Sequence, residues 1–203
     1  MALSMAISRT YFEAMFAGND DPWSFCSRWY ETRKRAMTLA SLPRARYSNA
    51  YEPGCANGEL SAELASRCDH LLISDGTPRA VDIARERVSG LANVDVIQAW
   101  VPDDWPRARF DLVVISELGY FLKPDRLDEL IGKVRGSLQP GGTVLACHWR
   151  PPIEGCALNG DEVQARIGDR LGLTSLTRVV DVDFLLDVWC VDDRSVARYE
   201  NIP

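Results

Sequence analysis

Between residues 49 and 149 the chain alternates short apolar runs with segments whose apolar residues recur at helical spacing, and that rhythm leaves few folds open. The runs at 49–53, 70–75, 94–100, 111–117 and 143–149 read as strands. Segments 59–67, 78–89 and 124–138 read as helices, with Pro78 and Pro124 suited to first-turn positions, where no N–H is needed. This alternation predicts a mostly parallel sheet covered on both faces. Gln139-Pro140-Gly141-Gly142 predicts a helix stop and a turn before the fifth strand. A helix over 161–171 follows, then two β-rich runs, 175–183 and 184–191, close enough to pair as an antiparallel hairpin at the sheet edge.

In an open sheet of this kind ligands bind beyond the carboxyl ends of the strands. Those ends carry Glu52 to Gly58, Asp75 to Thr77, Ala99 to Val101, Ser116 to Tyr120 and His148 to Arg150, a set rich in polar and aromatic groups. In Glu52-Pro53-Gly54-Cys55-Ala56-Asn57-Gly58 the glycines permit positive φ and let the backbone approach a ligand at the start of a helix. Asp75 closes the second strand with a carboxylate suited to the two hydroxyls of a ribose. The spacing is G-x-x-x-G, which is neither the dinucleotide fingerprint nor a phosphate loop, and Glu52 would repel phosphate while attracting a cationic amino group. S-adenosyl-L-methionine, with ribose, adenine, a zwitterionic tail, a sulfonium and no phosphate, meets those demands. A plain tight strand-to-helix turn is the other reading of the glycines.

With 203 residues the chain is long enough for one domain with a full core, needing neither metal nor disulfide staples. Its formal charge of −6 argues against a nucleic-acid backbone as main partner. Arg28, Arg33, Lys34, Arg35, Arg44 and Arg46 form a local basic cluster that reads as a solvated helix face. The six cysteines show no C-x-x-C pairing and read as buried thiols rather than a zinc site. No run approaches the length of a membrane span and no secretory leader is evident, so a soluble cytoplasmic protein is expected.

The chain resembles the class I S-adenosylmethionine-dependent methyltransferases, and more narrowly the nodulation-protein-S-like (NodS-like) N-methyltransferases. The likeness rests on Asp21-Pro22-Trp23-Ser24-Phe25 with Tyr30-Glu31, on 110–120 from Phe110 to Tyr120, and on Cys147-His148-Trp149-Arg150 followed by Asn159-Gly160-Asp161-Glu162-Val163. It implies a Rossmann-like α/β fold, a mostly parallel seven-stranded sheet with an antiparallel edge hairpin, in a single domain over 1–203 whose residues 1–45 form a helical lid. It further implies that Glu52, Gly54, Cys55, Ala56 and Gly58 surround the methionine part of the cofactor, that Asp75, Gly76 and Thr77 meet the ribose, and that Ala99, Trp100 and Val101 border the adenine. Ser116 and Glu117 complete that set. Trp23 and Tyr30 would form the lid and Arg33 would face the methionine carboxylate.

Two departures from the family pattern stand out. Pro53 occupies a slot usually held by a small residue, which stiffens the loop. The third strand lacks the usual acid near its end, so either Trp100 stacks on the base or Asp103 or Asp104 supplies the acceptor. Tyr11, Phe12 and Phe16, spaced as a helix stripe, read as padding for one face of the sheet.

The resemblance implies transfer of a methyl group to a small-molecule acceptor, an amine by preference. The acceptor must be neutral and in line, and His148 is the candidate to take its proton, with Glu117 and Tyr120 either orienting the acceptor or serving a proton relay. A satisfied histidine capping a loop is the other reading of His148. Two further readings compete: a non-catalytic module that binds S-adenosylmethionine or a partner protein, and an NAD-dependent oxidoreductase, against which the missing middle glycine weighs. The identity of the acceptor and the oligomeric state are left open.

Overall fold

The computed structural model describes residues 7–193 and 195–202. The first six residues of the expected 1–45 segment therefore lie outside the described residues.

Seven strands form one sheet, β1 (Ala50–Pro53), β2 (Leu71–Asp75), β3 (Val94–Gln98), β4 (Phe110–Ser116), β5 (Leu138–Trp149), β6 (Thr174–Val180) and β7 (Phe184–Cys190). Their spatial order is β3-β2-β1-β4-β5-β7-β6. The first five run parallel, while β7 inserts antiparallel between β5 and β6, so the expected hairpin closes one edge. Strand order reverses between β1 and β4, which opens a crevice at their carboxyl ends.

Eight-residue α1 (Arg9–Phe16) and α2 (Trp29–Ser41) precede the sheet; α3 (Glu59–Leu64), α4 (Pro78–Arg87), α5 (Pro124–Ser137) and α6 (Gly160–Leu171) connect strands, and α7 (Val196–Tyr199) ends the described chain. Successive side chains of a strand point to opposite faces, so β4 sends Leu112 and Val114 into one core and Val113 and Ile115 into the other. The first core packs Leu64 and Ala84 from α3 and α4, the second Leu130, Ile131 and Ile167 from α5 and α6. Every residue of β1 and β7 is buried, whereas the outer strands β3 and β6 are half-exposed. Asn159 starts α6 with a capping box, its side chain accepting from the Glu162 N–H while Glu162 accepts from the Asn159 N–H. Among the described residues no helix is long and apolar enough to cross a membrane.

Three expectations change. The 139–142 segment is not a turn ahead of the strand: β5 begins at Leu138 opposite Phe110 and resumes register at Thr143 opposite Leu112, so these residues are a bulge inside it. The basic cluster is a solvated face only in part: Arg28 and Arg46 are exposed, but Lys34 and Arg35 are buried, together with Glu31 and Thr38 on the same side of α2. Cys26 is exposed, unlike Cys55, Cys68, Cys147 and Cys190, which are buried.

Candidate active site

A cavity of about 630 Å³ occupies the crevice at the carboxyl ends of β1, β2 and β4, under the N-terminal helices. Of the predicted site residues, Trp23, Tyr30, Glu52, Gly54, Cys55, Ala56, Asp75, Gly76, Thr77, Ala99, Trp100, Val101, Ser116, Glu117 and Tyr120 line it. Gly58, Arg33 and His148 do not.

The turn after β1 takes its shape from left-handed backbone at Gly54 (φ 73°), Ala56 (φ 48°) and Gly58 (φ 79°). The N–H groups of Gly54 and Cys55 both donate to the Ser74 carbonyl, which fixes the turn against β2. Gly58 serves packing: it starts α3, and a Cβ there would stand 3.3 Å from the Ala84 backbone of α4. Glu52 is buried and accepts the Ser61 hydroxyl at 2.7 Å. Burial raises its carboxyl to about 7, against that hydrogen bond. Asp75 accepts the N–H of Thr77 at 2.8 Å and of Ala56 at 3.1 Å, one on each oxygen. Burial holds it above the usual carboxylate range despite those donors and the further pull of the Thr77 hydroxyl and the Gly76 N–H.

Trp100 lies against the backbone of Gly76, where a Cβ would come within 2.2 Å of the indole, so no larger residue fits without moving the ring. Arg9 stacks on the indole at 5.0 Å and Phe12 packs beside it at 6.3 Å. Phe12 also meets Phe121, and Phe16 meets Trp23, so Tyr11, Phe12 and Phe16 line the cavity and do not pad the sheet. The Asp104 carboxylate is taken by the Trp100 N–H at 3.0 Å, and Asp103 pairs with Arg126. Arg33 points away: its guanidinium donates to Asp181 at 2.7 Å. Arg28, which sequence reasoning assigned to a solvated face, is exposed and also lines the cavity.

At the end of β4 the chain bends through Glu117, whose φ of 54° is strained for a residue with a side chain. Its Oε1 accepts Lys34 Nζ at 2.6 Å; its Oε2 accepts the Trp149 N–H at 3.0 Å and the Tyr120 hydroxyl. Burial alone would raise this carboxyl, but the Lys34 ammonium and the other donors bring it below its ordinary value. Lys34 also pairs with Glu31 at 3.1 Å and lies 4.9 Å from the Tyr30 ring centre. Desolvation works against its charge, yet Glu117 and Glu31 outweigh it and hold the ammonium above the usual lysine range. The buried Tyr30 hydroxyl has no hydrogen-bond partner among the described residues, a donor left free beside the cavity.

His148 is fully buried behind this wall. Gly119 donates its N–H to Nε2 at 3.0 Å, so Nδ1 carries the proton and donates to Gln164 Oε1 at 3.2 Å. Burial lowers its pKa to about 4. With both nitrogens engaged and no wall position, its geometry matches the reading of a satisfied histidine that caps the 117–119 bend. Glu31, Lys34 and Thr38 were missed. Their signal was present as polar residues at i, i+3 and i+7 of a helix, the spacing of a face turned inward.

Residues 13–163 match the model of the nodulation protein S (NodS) family. Nodulation protein S of Rhizobium tropici is 33% identical over 128 residues, which span 62% of this chain and 54% of that protein. The chain spans about half the length of the curated nodulation proteins it matches. A solved chain from Pseudomonas syringae is 48% identical with a TM-score of 0.73, covering 80% of this chain and 99% of that one. The N-methyltransferase NodS of Bradyrhizobium japonicum WM9, solved with S-adenosyl-L-homocysteine, is 26% identical with a TM-score of 0.81, covering 90% of this chain and 97% of that one.

Proposed function

The chain belongs to the nodulation protein S family, and from that premise we propose that it is an S-adenosyl-L-methionine-dependent methyltransferase acting on an amino group of a small molecule. The reading is carried by one cavity that holds a ribose-type carboxylate at Asp75, a phosphate-repelling Glu52 and, at its far end, an anionic and aromatic wall. Bound there, S-adenosylmethionine supplies an electrophilic methyl group on a cationic sulfur.

Asp75, held on the cavity wall by the Thr77 and Ala56 N–H groups, is the carboxylate for the ribose hydroxyls. Glu52 and the Gly54–Gly58 turn favour the cationic amino end of the cofactor, and of the wall arginines Arg28 is offered to its carboxylate, Arg9 lying on Trp100 and Arg35 pairing with Glu63. Trp100, flanked by Ala99 and Val101 and backed by Gly76, borders the adenine with an aromatic face in place of an acid. Helix α1 and the 17–28 segment partly cover the crevice, and the burial strengthens the polar contacts beneath. The acceptor end, walled by Tyr30, Glu117, Tyr120 and Trp149, attracts an ammonium by charge and by aromatic faces. Holding the amine in line is worth roughly 7 to 11 kcal/mol in favourable cases, so placement does most of the catalysis.

Titration calorimetry tests the reading directly. S-adenosyl-L-homocysteine binds and NAD does not; the reverse result overturns the proposal.

A further inference from the structure

An amine that enters the acceptor end as an ammonium must lose a proton before its nitrogen has a lone pair to offer. Glu117 is badly placed for that task. Its two oxygens already accept Lys34, the Trp149 N–H and the Tyr120 hydroxyl. Tyr120 donates its own proton to that carboxylate, and His148 is sealed behind the wall. Glu31 shares the cavity and Lys34 with Glu117 but accepts from fewer donors. It lines the cavity, it sits one helical turn before Lys34, and its carboxylate contacts that one ammonium, at 3.1 and 3.3 Å.

Resting on the methyltransferase reading above, we propose that Glu31 is the catalytic residue that takes the proton from the acceptor ammonium, with Lys34 as the positioning residue that holds it against the cavity. In the step an N–H bond of the acceptor breaks and an O–H bond forms at the Glu31 carboxylate. The lone pair left on nitrogen then forms the new N–C bond as the C–S pair returns to sulfur, and the proton leaves from Glu31 to water. The groups that face Glu31 are Lys34 and Arg35 from α2, Tyr30 beside it, Glu117 after β4 and Cys147 on β5. Burial lifts the Glu31 carboxyl above its ordinary value, against the pull of Lys34, which narrows its gap to an amine. Glu117 stays ionised throughout, so the second carboxylate supplies charge without competing for the proton.

The test compares wild type with Glu31→Gln, using labelled S-adenosylmethionine and a panel of D-glucosamine, benzylamine and putrescine. Glu31→Gln keeps the shape and a contact to Lys34, so affinity for S-adenosyl-L-homocysteine should be unchanged. Its kcat should fall about 10²- to 10⁴-fold at pH 7 and recover as pH rises toward the amine's own pKa, where the acceptor arrives neutral. A second readout avoids turnover: in infrared difference spectra of amine added to the S-adenosyl-L-homocysteine complex, a protonated-carboxyl band should appear in wild type and be missing in Glu31→Gln. Wild-type transfer matched by Glu31→Gln across pH, with identical spectra, overturns the Glu31 role alone. Absence of both cofactor binding and transfer in wild type overturns the methyltransferase reading and this role with it.

Discussion

At His148 the ring accepts from the Gly119 N–H and donates to Gln164, and those two bonds make it a support for the bend that carries Glu117. The consequence is a pH signature in stability. Its folded pKa, about 4, lies below the unfolded reference of about 6.5, so the unfolded chain binds the extra proton first. Stability fully present well above pH 6.5 is therefore lost as pH falls toward 4, by about 1.5 kcal/mol between pH 6.5 and 5. Urea unfolding of His148→Gln at both pH values should lack that component. Glu52 pushes in the opposite direction, since its raised carboxyl loses stability as pH climbs toward 7, but it does so equally in both proteins and cancels in the comparison. Equal pH slopes would refute the neutral, doubly bonded histidine. The sequence placed His148 at a strand end, and that position alone does not say whether a ring faces the cavity or the core. Burial made that decision.

Helix α2 inverts the usual amphipathic pattern. Its inward stripe is Glu31, Lys34, Arg35 and Thr38 instead of an apolar band, and it meets the carboxyl end of β4 through the Lys34–Glu117 pair. Removing one partner of a buried pair leaves the other charge stranded, so Lys34→Met should destabilise the fold by roughly 3 to 5 kcal/mol at pH 8. The loss should shrink at pH 5. Unpaired, the Glu31 and Glu117 carboxyls titrate upward in the folded state, and a raised folded pKa gives stability at low pH that is lost as pH rises. Thermal unfolding at pH 5 and pH 8 checks this, and a loss independent of pH would count against it. The central strands and the edge hairpin were legible in the sequence because apolar runs and turn residues report burial directly. The stripe on α2 was not, since its charges look like solvent contacts until β4 supplies a partner 83 residues away. The 139–142 bulge escaped for a related reason: Pro and Gly signal a break in a helix, but whether the next residues pair depends on β4.

Across the protein, order should grade from the sheet centre outward. Strands β1, β4 and β7 are buried on both faces, whereas β6 forms an exposed edge and α1 rests on aromatic contacts at the cavity mouth. Hydrogen exchange should be slowest in β4 and β5 and fastest in β6 and α1, and S-adenosyl-L-homocysteine should slow α1 and the 17–28 segment selectively. Protection that spreads evenly over all strands would contradict a covering role for those helices. The alternating apolar runs foretold a mostly parallel sheet with an edge hairpin; its strand order, with the reversal between β1 and β4 that fixes where the cavity opens, came from the structure. Which side chains close that cavity depended on the N-terminal aromatics, whose stripe fits a core helix and a cover equally well by spacing alone.

On the proposed amine methylation, Lys34 is a primary amine of the protein's own beside the reacting methyl group, open to self-modification. Lys34 is shielded from it by its two acidic neighbours, because a nitrogen kept permanently protonated has no electrons to give.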